Sequence, residues 1–169
     1  MELLVVRHAV AEEREEFAKT GKDDSERPLT PDGRRKFEKG ARGLRELVDG
    51  IDLLATSELV RATQTAEIVN AAWDGKLRTV RIRELAPEAD PAELMTWLRR
   101  QRAKGCVAVV GHEPHLSRFV EHALAGGAAQ FVDLKKGGAC LLDLGTSPQA
   151  GRAALRWLLT AGQLRRLGR

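Results

Sequence analysis

Short apolar runs alternate along this chain with longer stretches whose apolar residues recur at helical spacing. ELLVV, residues 2–6, reads as a buried strand that runs straight into Arg7 and His8. Residues 12–27 are charged and turn-rich and are expected to form an exposed loop. A helix is predicted over residues 30–48, with Thr30 as N-cap, Pro31 at the first helical position, and Phe37, Leu44, Leu47 and Val48 as its apolar stripe. Gly40 and Gly43 either weaken that helix or let it pack closely. DLLAT (52–56) is a second strand, and residues 57–73 a helix capped by Thr56 or Ser57, with Gly75 just beyond its end. A short strand (78–82), a helix (90–103), a buried strand (106–111) and a helix with Pro114 near its first turn (113–126) follow. GACLLDL (138–144) and RAALRWLLT (152–160) complete the strands, with a short helix after them. The alternation predicts an α/β fold, a three-layer α/β/α sandwich around a mostly parallel sheet. The last two strands have no helix between them and are expected to pair antiparallel.

At 169 residues the chain is expected to form one domain spanning residues 1–169. Nothing approaches the ~18 consecutive apolar residues of a membrane span, and Glu2 stands where a signal peptide carries basic residues. A cytoplasmic monomer without membrane contact is expected. Cys106 and Cys140 sit in apolar, strand-like runs and read as buried small hydrophobes. The net charge of +4 favours anionic partners in general. Nucleic acid is not indicated, because the few aromatic residues do not alternate with basic ones.

In open sheets of this kind, ligands bind outside the carboxyl ends of the strands. Arg7 and His8 fall there. Arg61 falls in the first turn of the helix after the second strand, His112 at the end of a buried strand, and Glu84 after the short third strand. Two Arg, two His and a helix N-terminus converging on one point suit a phosphate. A His held among such groups serves as a nucleophile toward phosphorus, and the second His stabilises charge on the phosphoryl oxygens. No P-loop and no Gly-x-Gly-x-x-Gly is present, so no nucleotide cradle is implied. HEPH (112–115) has a metal-like look, but Pro114 prevents an ordinary helical i, i+3 pair. No metal and no cofactor is expected. His115 and His122 are read as ordinary structural histidines.

These residues resemble the histidine phosphatase superfamily, also called the phosphoglycerate mutase-like superfamily. VVRHA (5–9) resembles its Arg-His signature, with Ala9 where the commonest form has Gly. RPLTPDGRRKF, ATSELVRATQTAEIV, IRELAP and VVGHEPHLS resemble four further motifs in family order. The resemblance implies the histidine phosphatase fold, His8 as the phosphorylated nucleophile, and Arg7, Arg61 and His112 as the phosphate pocket. Glu84 falls where the family's proton donor usually lies. Within the family the likeness is to the short SixA-type phosphohistidine phosphatases. Between Glu84 and His112 there is room for one helix and one strand, hence for no lid over a small substrate. The expected substrate is a phosphorylated His side chain on a partner protein of the His-phosphotransfer type. A small phosphate ester or nucleotide-derived phosphate is the alternative within the same class. A phosphate- or phosphoprotein-binding module without turnover is the alternative outside it. Arg99, Arg100 and Arg102 are read as a solvated helix face.

Overall fold

The computed structural model describes residues 1–101, 105–127 and 129–169. Six strands form one sheet in the order β3-β2-β4-β1-β5-β6. They are β1 (Glu2–Arg7), β2 (Leu53–Thr56), β3 (Thr79–Arg81), β4 (Cys106–Gly111), β5 (Ala139–Asp143) and β6 (Ala154–Leu159). β1 to β4 pair in parallel, and β5 and β6 are antiparallel, as the missing crossover helix requires.

The alternation of side chains along a strand divides the core. Leu4 and Val6 of β1 join one apolar cluster and Leu3 and Val5 the other. The first is covered by α2 (Pro31–Arg45), α3 (Val60–Ala72) and α6 (Ala161–Leu167), through Phe37, Leu44, Ala66 and Leu164. The second is covered by α4 (Pro91–Arg99) and α5 (His115–Ala125), through Leu94, Leu98, Leu116 and Phe119. β1 and β4 are therefore apolar on both faces, which explains their unbroken hydrophobic runs. The three-layer α/β/α arrangement follows. Among the described residues no helix is long and apolar enough to cross a membrane.

Several local expectations are refined. Residues 12–27 are not a plain loop: α1 (Arg14–Ala18) buries Phe17, and a 3-10 turn covers Asp24–Glu26. α2 starts as expected, with Thr30 Oγ1 accepting from the Gly33 amide at 2.9 Å, but it ends at Arg45, leaving Leu47 and Val48 in the turn beyond it. Neither Thr56 nor Ser57 caps α3, whose N-cap is Leu59 without a side-chain bond. α4 closes at Arg99, and Arg102 lies outside the described residues. Cys106 and Cys140 are both free and buried.

The two glycines of α2 differ. A Cβ on Gly43 would collide with the Leu164 carbonyl of α6, so this glycine permits the close packing of the two helices. At Gly40 a Cβ would meet Phe37 and Leu164 at ordinary contact distance. Gly43→Ala is expected to destabilise the fold by about 1–3 kcal/mol through overpacking. Gly40→Ala is expected to be neutral or stabilising by up to ~1 kcal/mol, the helix-propensity gain. Urea midpoints of the two variants measure the contrast, and equal shifts would contradict the packing argument.

Candidate active site

The register of three parallel strands sets the site. Arg7 lies opposite Gly111, and Thr56 opposite Val110. The next residue of each strand, His8, His112 and Ser57, therefore emerges at one edge of the sheet. Backbone bonds carry the register one step further. The His8 amide donates to the Gly111 carbonyl at 3.0 Å, and the Ser57 amide to Val110 at 3.2 Å.

His8 is buried, and its Nδ1 lies 2.7 Å from the Ala9 carbonyl oxygen. A carbonyl only accepts, so Nδ1 carries the proton and Nε2 keeps its lone pair. Burial, reinforced by the positive charges of Arg61, Arg7 and Arg27, pushes the His8 pKa down to about 3. His112 faces His8 with ring centroids 5.2 Å apart. Its Nε2 is 2.6 Å from Ser57 Oγ, the contact that takes Ser57 away from helix capping. Burial and the neighbouring His8 push its pKa down to about 2. Both rings are neutral at physiological pH.

The guanidinium groups are fixed from behind. Arg7 Nη1 donates to the Leu134 carbonyl at 2.9 Å. The loop bearing Leu134 is itself tied to α5, because the Glu121 carboxylate accepts from the amides of Ala129, Phe131 and Val132. Arg61, almost fully buried in the first turn of α3, donates to the Asp24 carbonyl at 3.0 Å and pairs with its carboxylate at 3.2 Å. The same carboxylate accepts from Arg27 Nε at 2.8 Å, and Arg27 Nη1 donates to the Glu12 carbonyl at 2.7 Å. Thr65 Oγ1 donates to the Arg61 carbonyl at 2.7 Å and accepts from the Ala9 amide at 3.1 Å, joining α3 to the segment after β1. Arg7 Nε and Arg61 Nε remain buried with no protein partner.

Arg7, His8, Asp24, Arg27, Arg61 and His112 line a cleft of ≈ 450 Å³ at the strand ends, together with Glu13, Glu88, Glu113 and Lys136. A larger groove of ≈ 560 Å³ between α2 and α3 contains no histidine, so size alone does not mark the site. Of the residues the sequence singles out, Arg7, His8, Arg61 and His112 come together here. Glu84 does not. The 3-10 turn Arg83–Leu85 commits Leu85 to the core and leaves Glu84 in a separate groove with Trp97 and Arg100. The carboxylates at the cleft are Glu13, Asp23, Asp24, Glu88 and Glu113, and burial raises the pKa of Glu113. Asp24, Arg27, Ser57 and Thr65 were not legible as site residues. His115 is buried with neither ring nitrogen hydrogen-bonded, and its pKa is lowered to about 4 by burial. Among the described residues no group of three His, Cys, Asp or Glu could hold a metal ion. The donor set is cationic and suits an anion.

Residues 3–90 match the family model of the histidine phosphatase superfamily, branch 1. An uncharacterized protein of Picosynechococcus sp. is 35% identical over 140 residues, which cover 82% of each chain. The solved structure of the protein histidine phosphatase SixA complexed with tungstate superposes with a TM-score of 0.81 at 22% identity, over 97% of this chain and 99% of that one. A candidate SixA phosphohistidine phosphatase of Agrobacterium tumefaciens gives 0.74 at 25% identity, covering 94% and 97%. Phosphoserine phosphatase of Entamoeba histolytica gives 0.66 at 16%, covering 96% and 98%. The family match spans the strand that delivers Arg7 and His8 and the helix that delivers Arg61. On this evidence the chain belongs to branch 1 of the histidine phosphatase superfamily and is a phosphatase, with a fold close to that of SixA.

Proposed function

We propose that this phosphatase removes the phosphoryl group from histidine side chains of a partner protein, working as a single domain without a lid. The observation that carries the reading is an unroofed phosphate cleft. Between β3 and β4 the described residues provide only a 3-10 turn and α4, and this connection meets the cleft only through Pro87 and Glu88 at its edge. An enclosed small ester gains from exclusion of water. A side chain presented by a folded protein needs an open cleft and brings its own cover.

In this reading His8 Nε2 attacks phosphorus as the bond from phosphorus to the leaving group breaks. Arg7, Arg61 and His112 hold the phosphoryl oxygens. The His8 ring becomes cationic as its Nε2–P bond forms, and its Nδ1–H bond to the Ala9 carbonyl strengthens with that charge. Water then attacks phosphorus, the Nε2–P bond breaks, and phosphate leaves with the protons of that water. The resting enzyme returns with His8 neutral.

A phosphohistidine whose leaving ring is already protonated departs as neutral imidazole and needs no proton from the enzyme. An alkoxide needs one. Glu113 is the group we assign to that task for esters, because it lines the cleft and its burial favours the protonated form. The structural neighbours include a phosphoserine phosphatase, so ester hydrolysis is the reading to be compared. Values of kcat/KM on a phosphohistidine peptide and on phosphoserine are expected to favour the former in the wild type. Glu113→Gln is expected to depress ester hydrolysis by roughly 10²–10⁴-fold, the usual range for a positioned acid, and phosphohistidine hydrolysis only slightly. Glu84→Gln is expected to change neither. A wild-type preference for the ester would overturn the substrate assignment, and equal losses on both substrates in Glu113→Gln would overturn the acid.

The nucleophile must be neutral. With pKa values of about 3 and about 2, His8 and His112 are expected to keep their unprotonated nitrogen-15 shifts from pH 7.5 down to pH ~4.5. The unfolded chain binds these protons near the ordinary His pKa of ~6.5. Below that pH it holds more protons than the folded chain, so stability falls as pH falls, by roughly 1.4 kcal/mol per pH unit for each such His. Protonation of His8 near pH 6.5 would contradict the burial argument.

A further inference from the structure

Positive charge is concentrated away from the cleft as well as in it. The groove where α2 meets α6, ≈ 700 Å³, is lined by Lys36, Lys39, Arg42, Arg165, Arg166 and Arg169 and by no Asp or Glu side chain. Asp32 neutralises part of its edge, pairing with Arg35 at 2.5 Å and Lys36 at 2.6 Å. Lys39, Arg42, Arg165 and Arg166 take part in no ion pair among the described residues. For a chain of net charge +4 this is an uneven distribution.

The groove is also connected to the cleft. Lys36 and Arg165 line a narrow pocket shared with Ala9, Gly137 and Lys136. Lys136 in turn lines the catalytic cleft beside His8. A continuous positive track thus runs from the cleft along the α2–α6 face. The rim formed by the segment after β1 is mixed instead: Glu13, Asp23 and Asp24 stand there with Arg14 and Arg27, and Asp24 pairs with Arg14, Arg27 and Arg61. A negatively charged body is drawn more strongly to the α2–α6 side, where Lys39, Arg165 and Arg166 have no ion-pair partner among the described residues, than to the rim whose charges pair with one another, which favours one orientation.

We propose that the α2–α6 groove is the docking track for an acidic face of the phosphorylated protein, holding that protein so that its phosphohistidine reaches His8 from the Lys136 side. The proposal rests on the phosphohistidine reading above and adds the chemistry of the partner. An acidic protein suits the track better than a nucleic acid. Among the described residues that line the groove and its connecting pocket, Phe37 is the one aromatic side chain, and it is buried and offers no face for a base to stack on. A small ester fits within the cleft and does not reach Arg166.

The test uses phosphohistidine peptides with acidic or neutral flanks, and an aryl phosphate as a substrate confined to the cleft. The wild type is expected to prefer the acidic-flanked peptide by about tenfold or more in kcat/KM at low salt, with the preference shrinking as salt rises. Lys39→Glu/Arg165→Glu/Arg166→Glu is expected to abolish that preference and leave aryl phosphate turnover unchanged. The corresponding triple Gln variant is expected to fall between. A wild type that hydrolyses both peptides equally, or a reversed-charge variant that keeps the preference, overturns the docking track while the phosphohistidine reading stands. Aryl phosphate turnover without hydrolysis of either peptide overturns the phosphohistidine reading, and the docking proposal with it. Salt-sensitive inhibition of the wild type by short DNA, lost in the variant, together with equal rates on the two peptides, assigns the track to nucleic acid instead.

Discussion

The cleft depends on one constraint: β1, β4 and β2 are buried parallel strands that end in register. Their hydrogen bonds fix where Arg7, Gly111 and Thr56 stand, and the following residues have one common edge on which to emerge. A register slip of one residue in β1 would turn Leu4 and Val6 from one core cluster into the other. It would also carry His8 away from the Gly111 carbonyl. The apolar core and the polar cleft are thus set by the same ladder.

Burial then gives the histidines their chemistry. Near a phosphate the opposite outcome would be natural, a protonated ring attracted to the anion. Here desolvation and the flanking guanidinium groups hold His8 and His112 neutral, so a lone pair is available toward phosphorus. Asp24 keeps the positive side of the site in order. Its carboxylate holds Arg61 and Arg27 together, two like charges that would otherwise repel. Because that carboxylate is substantially exposed, its contribution is positioning more than stability.

The layers and most of the cleft were legible because both follow from runs of similar residues. An apolar run ending in Arg-His or Gly-His marks a strand end, and the α/β alternation says that the strand ends share an edge. Glu84 was misplaced because a 3-10 turn has no long period to read. Within Arg83–Leu85 the apolar Leu85 takes the core, and the carboxylate next to it is turned into another groove. Asp24 and Arg27 sit in a charged stretch that looks like any solvated loop. Their meaning comes from Arg61, which lies 37 positions beyond Asp24 and meets it only in the folded chain. Ser57 looked like a helix cap because local sequence cannot show His112 arriving 55 residues later.

The most direct test is where the phosphoryl group resides during turnover. Phosphorus-labelled substrate, mixed rapidly with enzyme and quenched without acid, should leave label on Nε2 of His8, in an adduct stable to base and labile to acid. His8→Ala should remain folded, trap nothing and lose nearly all turnover. Label on another residue, or full turnover in His8→Ala, would contradict the account.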